Sequence, residues 1–84
     1  MQQKALNKLF EKEVQVLTSD NKSLIGTLVG IDQTLNCVLK DCKEIEEDLE
    51  TGDRKEYAMG LQIIRGDNIA MIGPTQASDD DENN

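Results

Sequence analysis

The 84-residue sequence has no histidine and no tryptophan, and only two cysteines, one proline, one phenylalanine and one tyrosine. Without histidine, and with Cys37 and Cys42 as the only thiols, no ligand cluster for zinc can be assembled. The same lack removes the commonest general base. Neither a nucleophile elbow nor a phosphate loop is found, and nothing around Asp32 and Asp67 suggests carboxylates with raised pKa values. The expectation is a protein that is not an enzyme and uses no cofactor and no metal. The opening residues MQQKALNKLFEKE lack the apolar stretch of a signal peptide, and no run approaches transmembrane length. This predicts an intracellular chain with reduced thiols and no membrane partner. Phe10 and Tyr57 give little material for a closed core, and a chain this short buries only about 60% of its unfolded surface. With disulfides and metals set aside, oligomerisation is the remaining source of stability.

Basic charge is also scarce. The net charge is −8, the opposite of a conventional nucleic-acid-binding face. Acidic residues crowd two places: Asp41, Glu44, Glu46, Glu47, Asp48, Glu50 and Asp53 in the middle, and Asp79, Asp80, Asp81 and Glu82 near the end. Away from them the chain is close to neutral, so whole-chain charge speaks to solubility more than to ligand.

What the sequence does have is pattern. Leu6, Leu9 and Phe10 fall at helical spacing, which predicts a short docked helix over 3–11. Val14 and Val16 alternate with polar neighbours as a half-buried strand, ended by the turn Ser19-Asp20-Asn21. A second strand runs from Ser23 to Asp32. Gly26 and Gly30 inside it imply a bend or a close backbone approach, as in a strand curling around a small barrel. Asp32-Gln33-Thr34-Leu35-Asn36 reads as a turn and Cys37-Val38-Leu39 as the start of a third strand. Glu50-Thr51-Gly52-Asp53 is a hairpin signal, followed by alternating Tyr57, Met59, Leu61 and Ile63 in a fourth strand. Ile69-Ala70-Met71-Ile72 forms a short fifth strand, stopped by Gly73-Pro74. The fourth and fifth strands are the expected sheet edges, and an apolar edge left unpaired invites a neighbouring subunit. Residues 1–74 therefore read as one mostly β domain, and residues 75–84 as a disordered acidic tail.

Gly26-Thr27-Leu28 with Asp32-Gln33-Thr34-Leu35-Asn36-Cys37-Val38-Leu39 resembles the first motif of the Sm-like (LSm) family. Ile64-Arg65-Gly66-Asp67-Asn68-Ile69 resembles the second, and the resemblance spans roughly residues 3–73. It implies a short N-terminal helix on a strongly bent five-stranded antiparallel small barrel. It also implies a ring, seven subunits in number, closed by pairing the fourth strand of one subunit with the fifth of the next through Ile69, Ala70, Met71 and Ile72. The segments DQTLN and GLQIIRGDNIAMIG look most like the subunit that marks the nuclear ring. That ring is a scaffold on the uridine-rich 3′ end of the spliceosomal sixth U-series small nuclear RNA, in pre-mRNA splicing. The nearest rivals are a subunit of the cytoplasmic ring of mRNA decapping and decay, and an assembly-only subunit without RNA contact. Single-stranded uridine-rich RNA, and not DNA, is the implied ligand. Carried over, Asn36 would hydrogen-bond a uracil edge, Asp32 would fix its loop, Arg65 would stack on the base and Gly66 would allow the close turn. The family often has an aromatic or histidine two residues after the aspartate; here Thr34 stands there, and a stacking face is lost.

The blander readings stand beside these. Gly66 could serve a turn of positive φ, and Asp32 and Asn36 could be simple turn residues. Arg65-Gly66-Asp67 also spells an adhesion tripeptide, which the lack of a secretion signal and of a disulfide framework argues against.

Overall fold

A computed structural model describes residues 7–75. Five strands form one antiparallel sheet: β1 (Glu13–Thr18), β2 (Ser23–Ile31), β3 (Cys37–Glu47), β4 (Arg54–Ile64) and β5 (Ile69–Pro74). Their order across the sheet is β4-β3-β2-β1-β5. Alternation sets the faces. In β1, Val14, Val16 and Thr18 are buried while Glu13, Gln15 and Leu17 point away. In β2, Leu24, Gly26 and Leu28 are buried. With Cys37, Leu39, Cys42 and Ile64 they make one apolar core, to which Leu9, Ile31, Ile69 and Ile72 add partly buried side chains.

The sheet bends where a side chain would obstruct it. A Cβ on Gly26 would lie 3.1 Å from Leu39 Cβ and 3.2 Å from the Cys42 Cα, and one on Gly30 would press on Val38 at 3.2 Å. Register slips occur at both places, between Ile25 and Thr27 and between Leu28 and Gly30. The two glycines thus serve the close approach that their presence inside a strand implied. Across the bend, Glu11 N–H donates to the Leu28 carbonyl at 2.6 Å and Leu28 N–H to the Lys12 carbonyl at 3.0 Å.

Three expectations need correction. The helix over 3–11 does not extend through the described residues: from Lys8 onward the chain is in turns, and Glu11 has φ 66. Residues 3–6 of that segment lie outside the described range, as does the tail beyond Thr75. Second, β5 is not stopped by Gly73-Pro74. Gly73 pairs with Gln15 and Pro74 with Val14, a position at the end of an edge strand where the missing proline N–H costs little. Third, Tyr57, Met59, Leu61 and Ile63 do not share one buried face. Tyr57 pairs with Glu44, which pairs with the core residue Leu24, whereas Ile64 pairs with Cys37. An odd number of steps separates Tyr57 from Ile64, so the strand must change face between them. Gly60 at φ 71 opposite the irregular β3 segment at Asp41 (φ 53) makes that change, the conformation glycine adopts without steric cost. Leu61 and Ile63 are left 64% and 69% exposed.

Cys37 and Cys42 are free and buried. Burial raises both thiols above their ordinary pKa, with the Asp32 charge adding to the effect at Cys37 and the Glu44 charge at Cys42. Both are small core side chains kept as unreactive thiols; Cys42 is as much part of the core as Cys37. Among the described residues no helix is long and apolar enough to cross a membrane.

Candidate nucleic-acid interface

The β2–β3 loop is organised by one carboxylate. Asp32 Oδ1 accepts from Thr34 N–H at 2.9 Å, Thr34 Oγ1 at 2.9 Å and Asn36 N–H at 3.0 Å, while Oδ2 accepts from Asn36 Nδ2 at 3.0 Å. Asp32 and Asn36 also share a backbone bond, and Leu35 N–H donates to the Asp32 carbonyl at 3.0 Å. Closing so tight a loop puts Leu35 in the left-handed region at φ 65. The Asn36 N–H donating to the carboxylate, then the Thr34 hydroxyl, hold the Asp32 carboxyl below its ordinary pKa, with desolvation opposing them only in part.

The β4–β5 connection is a single 3₁₀ turn, Gly66–Asn68, entered from an extended Arg65. Asn68 N–H closes it on the Arg65 carbonyl at 2.9 Å. The Arg65 guanidinium meets the Asp67 carboxylate at 3.4 Å, with both side chains mostly in solvent.

Thirty residues apart in sequence, the two loops meet. Gly66 N–H donates to Asn36 Oδ1 at 2.8 Å. A Cβ on Gly66 would stand 2.2 Å from the Thr34 carbonyl oxygen and 3.0 Å from the Leu35 carbonyl carbon, closer than any real contact. Gly66 is therefore a glycine of close approach; the positive-φ glycines among the described residues are Gly52 and Gly60. Asn36 spans the junction, since both Nδ2 hydrogens are used, on Asp32 Oδ2 and on Thr34 Oγ1 at 2.9 Å. What its side chain retains for a ligand is one lone pair on Oδ1.

The family model for the LSM domain matches residues 4–74. The chain belongs to the LSM domain family. A relative from Dictyostelium discoideum, "Probable U6 snRNA-associated Sm-like protein LSm8", is 44% identical over 71 residues, covering 81% of this chain and 70% of the relative. "U6 snRNA-associated Sm-like protein LSm8" from Homo sapiens is 41% identical over 69 residues, covering 82% and 71%. "LSM2-LSM8 complex subunit lsm8" from Schizosaccharomyces pombe is 36% identical over 73 residues, covering 82% and 72%. Among solved structures, a Pyrococcus abyssii Sm protein in complex with a uridine heptamer superposes with a TM-score of 0.73 at 31% identity, covering 89% of this chain and 99% of that one. A heptameric archaeal Sm protein gives 0.69 at 30% identity, covering 84% and 96%.

In this LSM domain, Asp32, Thr34, Asn36 and Gly66 come together in one bonded cluster, with Arg65 at its rim. Arg65 is the sole cation in the two loop segments, 32–36 and 65–68. Two of the hairpin cations pair within the hairpin: Lys43 and Arg54 both meet Glu56, at 3.6 and 3.4 Å. The concave surface below that hairpin is lined by Glu44, Glu46, Glu47, Asp48 and Asp53 against Lys22 and Lys55, a field that repels phosphate. On the β5 edge, Ile69 and Ile72 turn partly into the core while Ala70 and Met71 are exposed. Two features escape sequence reasoning, namely the left-handed Leu35 and the bonding of the Arg65 turn to the β1–β2 turn. Ser19-Asp20-Asn21 gives a turn signal, but nothing in it says which distant turn it touches.

Proposed function

We propose that this chain is one subunit of a seven-membered Sm-like ring that holds uridine-rich single-stranded RNA, the 3′ end of U6 snRNA, as a non-catalytic scaffold of nuclear pre-mRNA splicing. The observation that carries the reading is the Asn36–Gly66 bond of 2.8 Å. It joins two loops into one site in a chain with 31% identity to an Sm protein solved with a uridine heptamer. Relatives named for U6 snRNA and for an LSM2-LSM8 complex support the nuclear ring. In this reading Asn36 Oδ1 accepts the N3–H of uracil, a donor that cytosine lacks, while Asp32 and Thr34 fix the amide in that orientation. Arg65 leaves Asp67 and lays its guanidinium plane on the base. One arginine per subunit around a central hole suffices, and the acidic outer surface does not oppose it. Met71 and its neighbours Ile69, Ala70 and Ile72 supply the open β5 edge on which β4 of the next subunit pairs, with residues 1–74 as the domain and 75–84 as an acidic tail.

An assembly-only subunit is the second reading, favoured by Thr34, which gives no stacking face, and by the full commitment of the Asn36 Nδ2 hydrogens. Purification of the tagged chain from its own cells, with sequencing of the bound RNA after crosslinking, separates the two. The proposal expects uridine-rich U6 ends crosslinked to this subunit's loops. Crosslinks confined to neighbouring subunits favour assembly alone, and decay-bound mRNA in place of U6 indicates the cytoplasmic ring.

A further inference from the structure

Behind the Arg65 turn lies a second network whose side chains lie outside the proposed RNA contacts and which reaches them only through the Arg65 backbone. Thr18 is the one buried polar residue among those described, at 3% exposure. Its hydroxyl donates to Asp20 Oδ1 and accepts from Lys22 N–H at 2.9 Å. The next residue, Ser19, donates its N–H to the Asn68 carbonyl at 2.7 Å. Asn68 in turn closes the 3₁₀ turn on the Arg65 carbonyl. β1 and β5 shift register between Leu17 and Thr18, and Thr18 pairs with Ile69, the residue after Asn68, so the Ser19–Asn68 bond sits where the ladder ends and the Arg65 turn begins. A buried hydroxyl with both its donor and acceptor functions placed is an expensive group to misalign.

We infer that Thr18 and Asp20 are positioning residues for RNA binding: the β1–β2 turn clamps Asn68 and thereby sets the direction in which Arg65 leaves the sheet. This rests on the proposed function, because the clamp acts through Arg65. Neither residue touches RNA. Removing the clamp leaves the pocket groups in place but lets the Arg65 turn sample orientations in which its guanidinium misses the base.

The test uses the full chain in its assembled ring. Thr18→Val keeps the shape and removes the hydroxyl, and Asp20→Ala removes its acceptor. Each is expected to weaken binding of a short oligouridine by about threefold to tenfold, as for residues coupled in one network. Thr18→Ser, which restores the hydroxyl, should recover wild-type affinity. In an Arg65→Ala background the same substitutions should change affinity less than twofold. A purely structural role predicts equal losses with and without Arg65, and that result overturns the clamp. Hydrogen exchange at the Ser19 and Asn68 amides gives a readout that needs no RNA: faster exchange in Thr18→Val, undone in Thr18→Ser, shows the clamp itself. If the wild-type ring fails to bind oligouridine while exchange responds in this way, the RNA reading fails and the clamp stands as a geometric device. Unchanged exchange in both variants overturns the clamp whatever the RNA does.

Discussion

The Gly66 amide donates to the Asn36 side-chain oxygen at 2.8 Å, and the space beside that bond has no room for a methyl group. A Cβ at Gly66 would overlap the Thr34 carbonyl oxygen at 2.2 Å. That atom belongs to the backbone of a loop already closed by the bonds to Asp32, so it cannot swing aside as a flexible side chain would. Gly66→Ala must part the two loops. The expected cost is about 1–3 kcal/mol, as for overpacking, or a melting temperature lowered by about 4–8 °C for each kcal/mol in a domain of this size. Oligouridine affinity should fall with it. Gly52 at φ 78 has nothing within 4 Å of the added methyl. Gly52→Ala should therefore cost stability through backbone strain alone, about 1–2 kcal/mol, and leave affinity unchanged. Thermal melts and RNA titrations on the two variants check the contrast.

Asn36 differs from an ordinary turn residue because its amide has three partners on both sides of the junction. Asn36→Ala removes all three bonds and leaves the Gly66 N–H without its acceptor, a loss of about 1–3 kcal/mol. Asn36→Asp keeps the shape but replaces the Nδ2 donor to Asp32, at 3.0 Å, with a second negative charge. It should be the more damaging of the two at neutral pH and should recover in part as the medium is acidified. Melting temperatures at two pH values measure this.

Asp32 ties the loop to pH. Its folded pKa lies below the ordinary 3.8, so the unfolded chain takes up the proton first as pH falls. The carboxylate's contribution is then complete well above 3.8 and is lost as pH drops through that value toward the lower folded pKa. Wild type should show an acid limb of lost stability below about pH 4, shallower in Asp32→Asn. Asp20, lowered chiefly by the Thr18 hydroxyl, has the same sign, so the double variant should flatten the limb further. An identical limb in all three chains would place the acid sensitivity elsewhere.

Much of this was legible in the residues. Val14 and Val16 announce β1 by alternation, Gly26 and Gly30 announce the bend, and Asp32 to Asn36 with Arg65 and Gly66 announce the two loops. What stayed hidden depends on geometry that composition does not encode. The apolar series from Tyr57 to Ile63 has perfect alternation, but one left-handed glycine, Gly60, divides it between two faces. Gly73-Pro74 reads as a stop, yet an edge strand tolerates a proline at its end. For Gly66 the residues leave two readings open, a close turn or a positive φ; its φ is unexceptional and the missing Cβ is what matters. Asn36 reads as a ligand contact, and its hydrogens prove to be spent within the loop.

The edge of β5 offers a direct test of assembly. Met71 is 64% exposed and pairs with Leu17 of β1 on one side, leaving the other side of the strand open among the described residues. A proline there also threatens the pairing to β1, so a charged side chain is the cleaner probe. Met71→Lys places a charge on an edge proposed to receive a neighbouring strand, a device by which natural edges resist pairing. Sedimentation should show loss of the ring or of partner binding, while the melt of the isolated chain stays within about 0.5 kcal/mol of wild type, as for an exposed substitution. A ring that forms normally from Met71→Lys chains would remove β5 from the interface.

Arg65 gives the sharpest separation of binding from folding. Its side chain is 77% exposed and its one ion pair, to Asp67 at 3.4 Å, is as open to solvent, so the pair adds under about 1 kcal/mol to stability. Arg65→Ala should leave melting temperature and ring size unmoved. Affinity for oligouridine should drop by about 1–3 kcal/mol for one lost stacking contact, toward the low end because Thr34 gives the base no second face and the other subunits still hold the strand. Arg65→Lys should recover part of the loss, since the ammonium keeps the charge without a planar face. Arg65→Ala combined with Asn36→Ala should fall short of the sum, as both act in one pocket. Asp67→Asn gives the converse test. If the guanidinium must leave Asp67 to reach the base, removing that carboxylate's charge frees it beforehand and lessens repulsion of phosphate, so affinity should rise, most clearly at low salt. Titration at two salt concentrations, with light scattering to confirm ring size, reads all four variants together. Should Arg65→Ala and Asp67→Asn both leave affinity unchanged on an intact ring, the base is not held at this corner and the assembly-only reading takes its place.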